Sequence, residues 1–437
     1  MSRTHPGFAR FVALFSLIIA AETIFSLPYH VARFFRPTLL LALDLDNTQL
    51  GLVQSAYGVV AMLAYFPGGP LADLFPARKL LTASLVSTAA GGVYFAQLPS
   101  FDGLWLLFAF WGLTTILLFW AALIRATREW GDPERQGQAY GLLDAGRGLM
   151  AAVMASIAVG LFALLFPDNA DTLSEQARMD AIRGVILFYT GVTFLAALLT
   201  WFFVKEPEGR SHPQVRKRVS IDQVRRVFAM RVVWIQALIV VCAYVGYKGI
   251  DYYSLFSVDI YGLSEVEAAR LSAATAWVRP FAALAAGLLG DRIRPSRATS
   301  LCFVLLGSAY LLPLLADFGS PALPLFFLNV AVSSAAAFGL RGIYFALLEE
   351  GAIPAVATGT AVGIVSVVGY SPDVFFGVLA GWIIDGYPGW PGYQFFSFVM
   401  VGFSALGLVA SMFFTRAASQ PRRGDASTPP EFRTRHA

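Results

Sequence analysis

Long apolar stretches separated by short polar segments run along almost the whole chain. A helix that crosses a bilayer needs about 20 mostly apolar residues, and twelve stretches meet this requirement. Backbone groups in hydrocarbon must be satisfied within the segment, so these stretches are predicted to be helices, and the alternating pattern of barrel strands is absent. They cover roughly residues 8–30, 48–68, 79–98, 104–125, 138–165, 183–204, 232–257, 266–289, 298–316, 322–347, 359–384 and 392–414. The pattern predicts an all-α membrane protein with twelve transmembrane helices.

A short motif followed by basic residues occurs twice, half a chain apart. Gly-x-Leu-x-Asp at 69–73 precedes Arg78 and Lys79, and the same pattern at 287–291 precedes Arg292 and Arg294. The two Asp positions are 291 − 73 = 218 residues apart in a chain of 437. A membrane chain whose second half repeats its first is typical of transporters built from two bundles around a central site. We predict two pseudosymmetric six-helix bundles, over 1–204 and 232–415.

Two polar segments lie outside these bundles. Residues 205–231 are basic and join the halves, and Ser220 begins a Ser-Ile-Asp-Gln sequence that fits a capping box. This predicts a cytoplasmic linker with a short interfacial helix. The segment 416–437 is rich in Arg, Ser and Pro and is predicted to be a disordered cytoplasmic tail.

Charge patterning indicates the compartment and the orientation. Only 14% of the residues are charged, against about 25% in soluble proteins. The basic residues cluster in alternate loops, which predicts a multi-pass protein of the cytoplasmic (inner) membrane with both termini cytoplasmic. The apolar run near the N-terminus is too long for a signal peptide. Because the basic residues lie in short loops, no nucleic-acid binding is expected. The two cysteines, Cys242 and Cys302, show no metal-ligand spacing, so neither a metal nor another cofactor is expected.

The first loop, GGPLADLFPARK at 68–79, resembles the motif that joins the second and third helices in the major facilitator superfamily. The resemblance implies the major facilitator fold and transport by alternating access. It also implies that Asp73 and Arg78 take part in gating, with Asp291 as the counterpart in the second half.

The segment around Arg33 resembles the organophosphate–phosphate antiporter branch of that superfamily. Tyr29 and Arg33 precede a Leu-Gly pair at 50–51, and the region 347–398 is also similar to this branch. The resemblance implies that Arg33 binds the phosphate of a substrate, a task that suits a guanidinium. The spacing is slightly shorter than the family pattern, so Arg36 or His30 remains an alternative for the aligned position. The alternative to a binding role is that Arg33 extends its side chain so that the guanidinium lies at the membrane surface.

The branch has a second arginine in helix seven, which this chain lacks. Tyr247 occupies the aligned position, followed by Lys248, and Asp251 comes three residues later. Lys248 is either a second substrate-binding cation or the partner of Asp251 one helical turn away. Tyr252 is a further candidate for a polar-aromatic cavity, together with Tyr29.

The remaining ionisable residues of the apolar runs are functional candidates, because a charge inside a membrane requires a cavity or a partner. Arg279 and Arg341 are predicted to face the interior and contact substrate. Protonation or coupling candidates are Glu22, Asp251 and Asp373, and Asp373 can also pair with Arg279 or Arg341. Asp144 and Arg147 are three residues apart and are predicted to form a structural or gating pair.

The function most consistent with these features is secondary transport of a small organic anion, such as a phosphorylated or sulfonated one. One alternative is a proton-coupled symporter of a sugar, carboxylate or drug. An alternative of another class is a membrane solute sensor or membrane enzyme. The chain has no phosphate-binding Gly-Lys-Ser/Thr loop, no His-Glu-x-x-His and no Gly-x-Ser-x-Gly, so an enzyme is not expected. The expected partners are a small-molecule substrate and the lipid bilayer, with the protein a monomer.

Overall fold

The structure is a computed structural model of the 437-residue chain. It describes residues 6–131, 136–166, 175–205, 221–315, 323–351, 353 and 358–418, and over these residues the regular elements are helices. The long helical stretches are numbered α1 to α12. They are α1 (Pro6–Thr23, Ser26–His30 and Val31–Phe34), α2 (Asn47–Leu74), α3 (Ala77–Phe95), α4 (Phe101–Gly112, Leu113–Trp120 and Ala121–Trp130), α5 (Gln136–Leu165), α6 (Glu175–Phe203), α7 (Arg231–Gly249, Ile250–Tyr252 and Tyr253–Tyr261), α8 (Glu265–Ile293), α9 (Pro295–Leu315), α10 (Leu323–Ile343), α11 (Thr358–Gly369 and Pro372–Gly386) and α12 (Trp390–Ala418).

Each of the twelve predicted spans corresponds to one of these helices. Eleven of the described helices are long and apolar enough to cross a membrane, and the exception is α3, with 19 residues. It carries Arg78 and Lys79 in its first turn and packs against α6 and the middle of α4. Buried Ser84 of α3 donates a hydrogen bond of 2.7 Å to the carbonyl oxygen of Thr114. Such internally satisfied polar groups lower the hydropathy of α3 without exposing polar groups to lipid.

Three shorter helices connect the long ones: Arg36–Leu43, Ile221–Phe228 and Leu347–Glu350. The helix Ile221–Phe228 lies where an interfacial helix was predicted, although Ser220, its predicted cap, falls outside the described residues. Val227 is buried, while the ring of Phe228 packs edge-on against Trp234 at 4.9 Å between centroids. Most of the predicted linker and the predicted tail beyond residue 418 also lie outside the described residues.

The two halves of the chain contact each other mainly through α2 with α11 and α5 with α8. Glycines permit the close approach of α2 and α11, since a Cβ atom at Gly51 would lie 2.4 Å from the backbone carbon of Gly377. We call the two ends of the bundle the Asn47 end and the Leu74 end, after the first and last residues of α2. The segment Pro372–Gly386 of α11 packs along α2, whereas Thr358–Gly369 packs against α7. The halves are therefore held together at the Asn47 end, and α11 leaves α2 toward the Leu74 end.

Candidate functional site

Interruptions in α1 and α7 bring two charged segments together at the centre of the bundle. In α1 the regular α-helix gives way to a π-helical turn at Ser26–His30, which contains Pro28. In α7 it gives way to a 3-10 turn at Ile250–Tyr252. Such irregular turns in long helices often mark functional sites. The turn in α1 precedes the buried residue Arg33, and the turn in α7 contains the buried residue Asp251.

Arg33 joins the two halves of the chain directly. Its Nε donates to Oδ1 of Asp251 at 2.5 Å, and its Nη1 donates to the hydroxyl of Tyr247 at 2.8 Å. The Arg33 backbone carbonyl accepts hydrogen bonds from the hydroxyls of Ser254, at 3.1 Å, and Ser272, at 3.2 Å. Arg33 is only 5% exposed, so it is a buried residue in this conformation and does not extend to the membrane surface.

The ion pairs continue from Asp251 along the interface. Lys248 Nζ lies 3.3 Å from Oδ2 of Asp251 and 3.4 Å from Oδ1 of Asp373, and 4.8 Å from the ring centroid of Tyr29. Tyr244 donates its hydroxyl to Oδ2 of Asp373 at 3.0 Å. We call the sequence Arg33–Asp251–Lys248–Asp373 the central chain. The Lys248–Asp251 pair that the spacing allowed is present, and Asp373 contacts Lys248 instead of Arg279 or Arg341.

A second charged group surrounds Glu22 of α1. Its carboxylate lies 3.4 Å from Arg147, 3.3 Å from Arg279 and 3.5 Å from His30. Arg279 comes from α8, so this Glu22 cluster also connects the two halves. Asp144 lies 3.7 Å from Arg147 and 4.0 Å from Arg279, but its side chain is 66% exposed. The Asp144–Arg147 pair therefore exists, although Arg147 also contacts the buried carboxylate of Glu22.

Arg341, near the end of α10, has a different environment from the other central cations. Its guanidinium carbon lies 4.0 Å from the ring centroid of Tyr247 and 5.8 Å from that of Tyr244. No carboxylate of a described residue lies within 4.0 Å of it. The structure thus places Arg33, Lys248, Tyr247 and Arg341 in one region of contiguous contacts.

Arg36, the alternative to Arg33, is fully buried beside the first turn of α2. Its Nε donates to Oδ1 of Asn47 at 2.8 Å, and its guanidinium carbon lies 4.2 Å from the ring centroid of Tyr252. Tyr252 donates to the carbonyl oxygen of Gly377 at 3.3 Å. Tyr252 therefore packs with Arg36 and α11.

The repeated loops lie at the Leu74 end. Asp73 is in the last turn of α2, and Arg125 of α4 donates its Nη1 to the carbonyl oxygens of Ala72, at 2.7 Å, and Phe75, at 3.2 Å. Arg78 stacks over Trp201 of α6 at 4.8 Å. Asp291, in the last turn of α8, is exposed. Arg125 was not predicted to be a site residue, because the sequence does not distinguish it from the many basic residues of the loops.

Polar contacts that the sequence did not suggest close the Asn47 end. Asp385 of α11 accepts hydrogen bonds from the backbone nitrogens of Asn47, at 3.2 Å, and Thr48, at 2.7 Å. Its oxygens also accept from both side chains, at 3.0 and 2.6 Å. Glu265 of α8 accepts from Arg178 at 2.9 Å and from the hydroxyl of Thr38. A helix N-terminus attracts a carboxylate, so Asp385 attaches the second half of the chain to the start of α2.

Among the described residues, no group of three or more His, Cys, Asp or Glu side chains could hold a metal ion. Both cysteines are buried and unpaired. The chemistry that the described residues offer is that of ion pairs and hydrogen bonds.

Comparisons with known proteins agree with this architecture. The family model of the Major Facilitator Superfamily matches residues 8–375. The chain is 26% identical to the inner membrane protein YqcE of Escherichia coli (strain K12), over 93% of this chain and 94% of that one. It is also 26% identical to the inner membrane protein YihN of the same organism, over 94% and 97% of the two chains. A bacterial homologue of the human lysosomal transporter Spinster, solved inward-facing and unoccupied, has a TM-score of 0.69 at 18% identity, over 96% and 98% of the two chains. The last similarity indicates a shared fold.

Proposed function

The chain belongs to the Major Facilitator Superfamily, and from this premise we propose that it moves a small organic anion across the cytoplasmic membrane by alternating access. The family and the transporter fold indicate a transporter and not an enzyme. The proposed binding region lies between an N-terminal bundle, 1–204, and a C-terminal bundle, 232–415. It includes the central chain, the Glu22 cluster and Arg341.

The observation that carries this proposal is an excess of positive charge between the halves. In the central chain, in the Glu22 cluster and at Arg341, three carboxylates of low exposure face five basic side chains. The carboxylates are those of Glu22, Asp251 and Asp373, and the cations are Arg33, Arg147, Lys248, Arg279 and Arg341. Removing a charge from water is costly unless a partner compensates. The fourth nearby carboxylate, that of Asp144, is 66% exposed, so two of the five cations lack a carboxylate of low exposure. An anionic substrate would compensate them.

The distribution of basic residues supports the proposed orientation. Arg78, Lys79, Arg292 and Arg294 lie at the Leu74 end, where α2 and α8 end. Basic loops remain on the cytoplasmic side, so we place this end and both termini in the cytoplasm. The contacts of Asp385 and Glu265 would then close the outer side, and the described conformation would be closed to the outside.

Transport by proteoliposomes tests the proposal. The purified chain is reconstituted, and uptake of labelled organophosphates, organosulfonates and carboxylates is compared with uptake of their neutral analogues. We expect saturable uptake of at least one anion and none of its neutral analogue. Vesicles without protein give the background uptake, and vesicles containing Arg33→Gln, Lys248→Gln protein test whether the two central cations are required. Uptake confined to neutral or cationic solutes would contradict the proposal.

Proton-coupled symport is the second candidate, and one contact pattern favours it. Asp251 contacts both Arg33 and Lys248, and Glu22 contacts both Arg147 and Arg279. Protonation of such a carboxylate would release two cations at once, which would couple a proton to anion binding. A pH-sensitive dye inside the vesicles should then report substrate-dependent proton entry. Asp251→Asn should abolish that signal, whereas an exchange mechanism would show no such proton flux.

A further inference from the structure

Arg341 differs from the other central cations in what its guanidinium contacts. Arg33 and Lys248 each lie within hydrogen-bonding or ion-pairing distance of a carboxylate. Arg341 contacts ring faces, those of Tyr247 and Tyr244. A guanidinium has five N–H donors in its plane, and stacking on a ring face leaves the edges of that plane available. Among the described residues these donors have no hydrogen-bond acceptor, so Arg341 can bind a new acceptor without breaking an ion pair.

The tyrosines near Arg341 add hydrogen-bond donors. The hydroxyls of Tyr344 and Tyr370 lie 3.2 Å apart, and the ring of Tyr370 packs edge-on against Tyr244 at 5.0 Å. Each phenol has one proton, so a hydrogen bond between the two uses one proton and leaves the other for a further acceptor. The hydroxyl of Tyr247 accepts from Arg33, so its own proton is likewise available.

The surroundings of Arg341 therefore consist of donors, in contrast to the central chain, where cations and carboxylates alternate. An oxyanion needs several donors and no nearby carboxylate. The central chain fails the second condition, because an anion there would have to displace Asp251 or Asp373. In the Arg341 region no carboxylate of a described residue lies within 4.0 Å of the guanidinium, and Asp373 is separated from it by the ring of Tyr244, whose hydroxyl donates to that carboxylate. Arg341 is also partly exposed, so its donors are not sealed within the protein.

We infer that Arg341, with Tyr247, Tyr344 and Tyr370, binds the oxyanion group of the substrate, a phosphate, sulfonate or carboxylate. This inference rests on the proposed function and names the residue that anchors the anion. The Arg33–Asp251 pair then holds the two halves together, and its charges do not contact the anionic group in this conformation. The anchor lies in the second half, on α10, and not at the α1 position that the sequence resemblance indicated.

Ligand-dependent thermal stabilisation of the full-length purified protein tests this assignment. A ligand that binds the folded state raises the melting temperature, and its concentration dependence gives a Kd. The probes are glycerol 3-phosphate, 2-hydroxyethanesulfonate and gluconate, with glycerol and glucose as neutral analogues. Arg341→Gln should weaken binding of the stabilising anion at least tenfold. Arg341→Lys keeps the charge but loses the planar fork, so it should also weaken binding. Arg297→Gln, at an exposed position of the same half, should bind like the native protein.

The outcomes separate the possible errors. If Arg341→Gln binds the anion with the native Kd while Arg33→Gln does not, the anion group lies at the central chain; the inference fails and the proposed function stands. If none of the anions stabilises the native protein, the choice of an anionic substrate is itself contradicted, and the inference with it. Should Arg341→Gln not fold, Tyr344→Phe with Tyr370→Phe removes only the hydroxyls and should still weaken binding several-fold. A native Kd in that double variant and in Arg341→Lys would overturn the inference.

Discussion

Arg33 and Asp251 are 218 positions apart and share a hydrogen bond of 2.5 Å. The same separation relates Asp73 to Asp291 in the two repeated loops. The offset that relates the two loops therefore also relates these two residues, and they meet at the interface. At this meeting point the chain carries opposite charges, so one position neutralises the other. A chain with arginine at both positions would have two like charges there.

The first prediction concerns the energy of this contact. Asp251→Asn removes the carboxylate that pairs with buried Arg33. Arg33→Gln leaves Asp251 paired with Lys248 alone. Breaking a buried ion pair costs about 3–5 kcal/mol, so each single variant should unfold at a lower denaturant concentration. The double variant restores neutrality and should be more stable than the sum of the single effects by about 0.5–3 kcal/mol. Denaturant unfolding in mixed micelles measures all four proteins.

A matched pair provides the control for this cycle. Arg183 and Asp180 lie 3.2 Å apart, with side chains 34% and 61% exposed. Exposed pairs contribute about 0–1 kcal/mol, so the same cycle at Arg183→Gln and Asp180→Asn should show almost no coupling. Coupling of equal size in the two cycles would mean that Arg33 and Asp251 are not a special contact.

The second prediction concerns the closed Asn47 end. A Cβ atom at Gly51 would lie 2.4 Å from the Gly377 carbonyl carbon, and backbone cannot move aside as a flexible side chain can. Gly51→Ala should therefore separate α2 from α11 and favour the conformation that is open at this end, at a cost of about 1–3 kcal/mol to the closed one. A single cysteine at Gln54, which is 5% exposed in the closed state, should then react several-fold faster with an impermeant thiol reagent.

Gly191→Ala, in α6, is the control, because a Cβ atom there would also meet no atom within 4 Å. It should leave the reaction rate at Gln54 unchanged. Equal rates in Gly51→Ala and the unmodified background would show that α2 and α11 do not close the Asn47 end.

The sequence predicted the parts of this molecule that depend on local pattern. The number of helices follows from the length of the apolar runs. The Lys248–Asp251 pair follows from helical spacing. Contacts between distant helices did not follow, because they depend on how each helix is rotated about its axis. Glu22 with Arg279 and Asp385 with Asn47 are of this kind, and so is the choice of Lys248 as the partner of Asp373.

The irregular turns could not be predicted from the pattern of polar and apolar residues either. The π-helical turn Ser26–His30 shifts all following side chains of α1 around the helix axis. Arg33 consequently faces α7, and its assigned role depends on a rotation that an ideal helix would not give.

The third prediction concerns the repeated loops. Asp73 is in the last turn of α2, beside the carbonyl groups that Arg125 binds. We propose that its carboxylate helps to hold this end of α2 and favours the outward-open state. Asp73→Asn should lower the initial transport rate several-fold at near-normal expression. Asp291→Asn should lower it less, because its loop departs further from the family pattern. A native rate for Asp73→Asn would rule out the gating role.

The fourth prediction concerns orientation, on which the direction of every conformational argument depends. Replacing buried Cys242 and Cys302 with alanine gives a background without cysteines. Asp102 is exposed in the first turn of α4, at the Asn47 end, and Lys205 and Asp291 are exposed at the Leu74 end. The basic loops of the Leu74 end place it in the cytoplasm. A single cysteine at Asp102 should thus react in intact cells with an impermeant thiol reagent, and cysteines at Lys205 and Asp291 should react only after the membrane is opened. If the cysteine at Asp291 reacts in intact cells and the one at Asp102 does not, the orientation is reversed, and the end that Asp385 closes would face the cytoplasm.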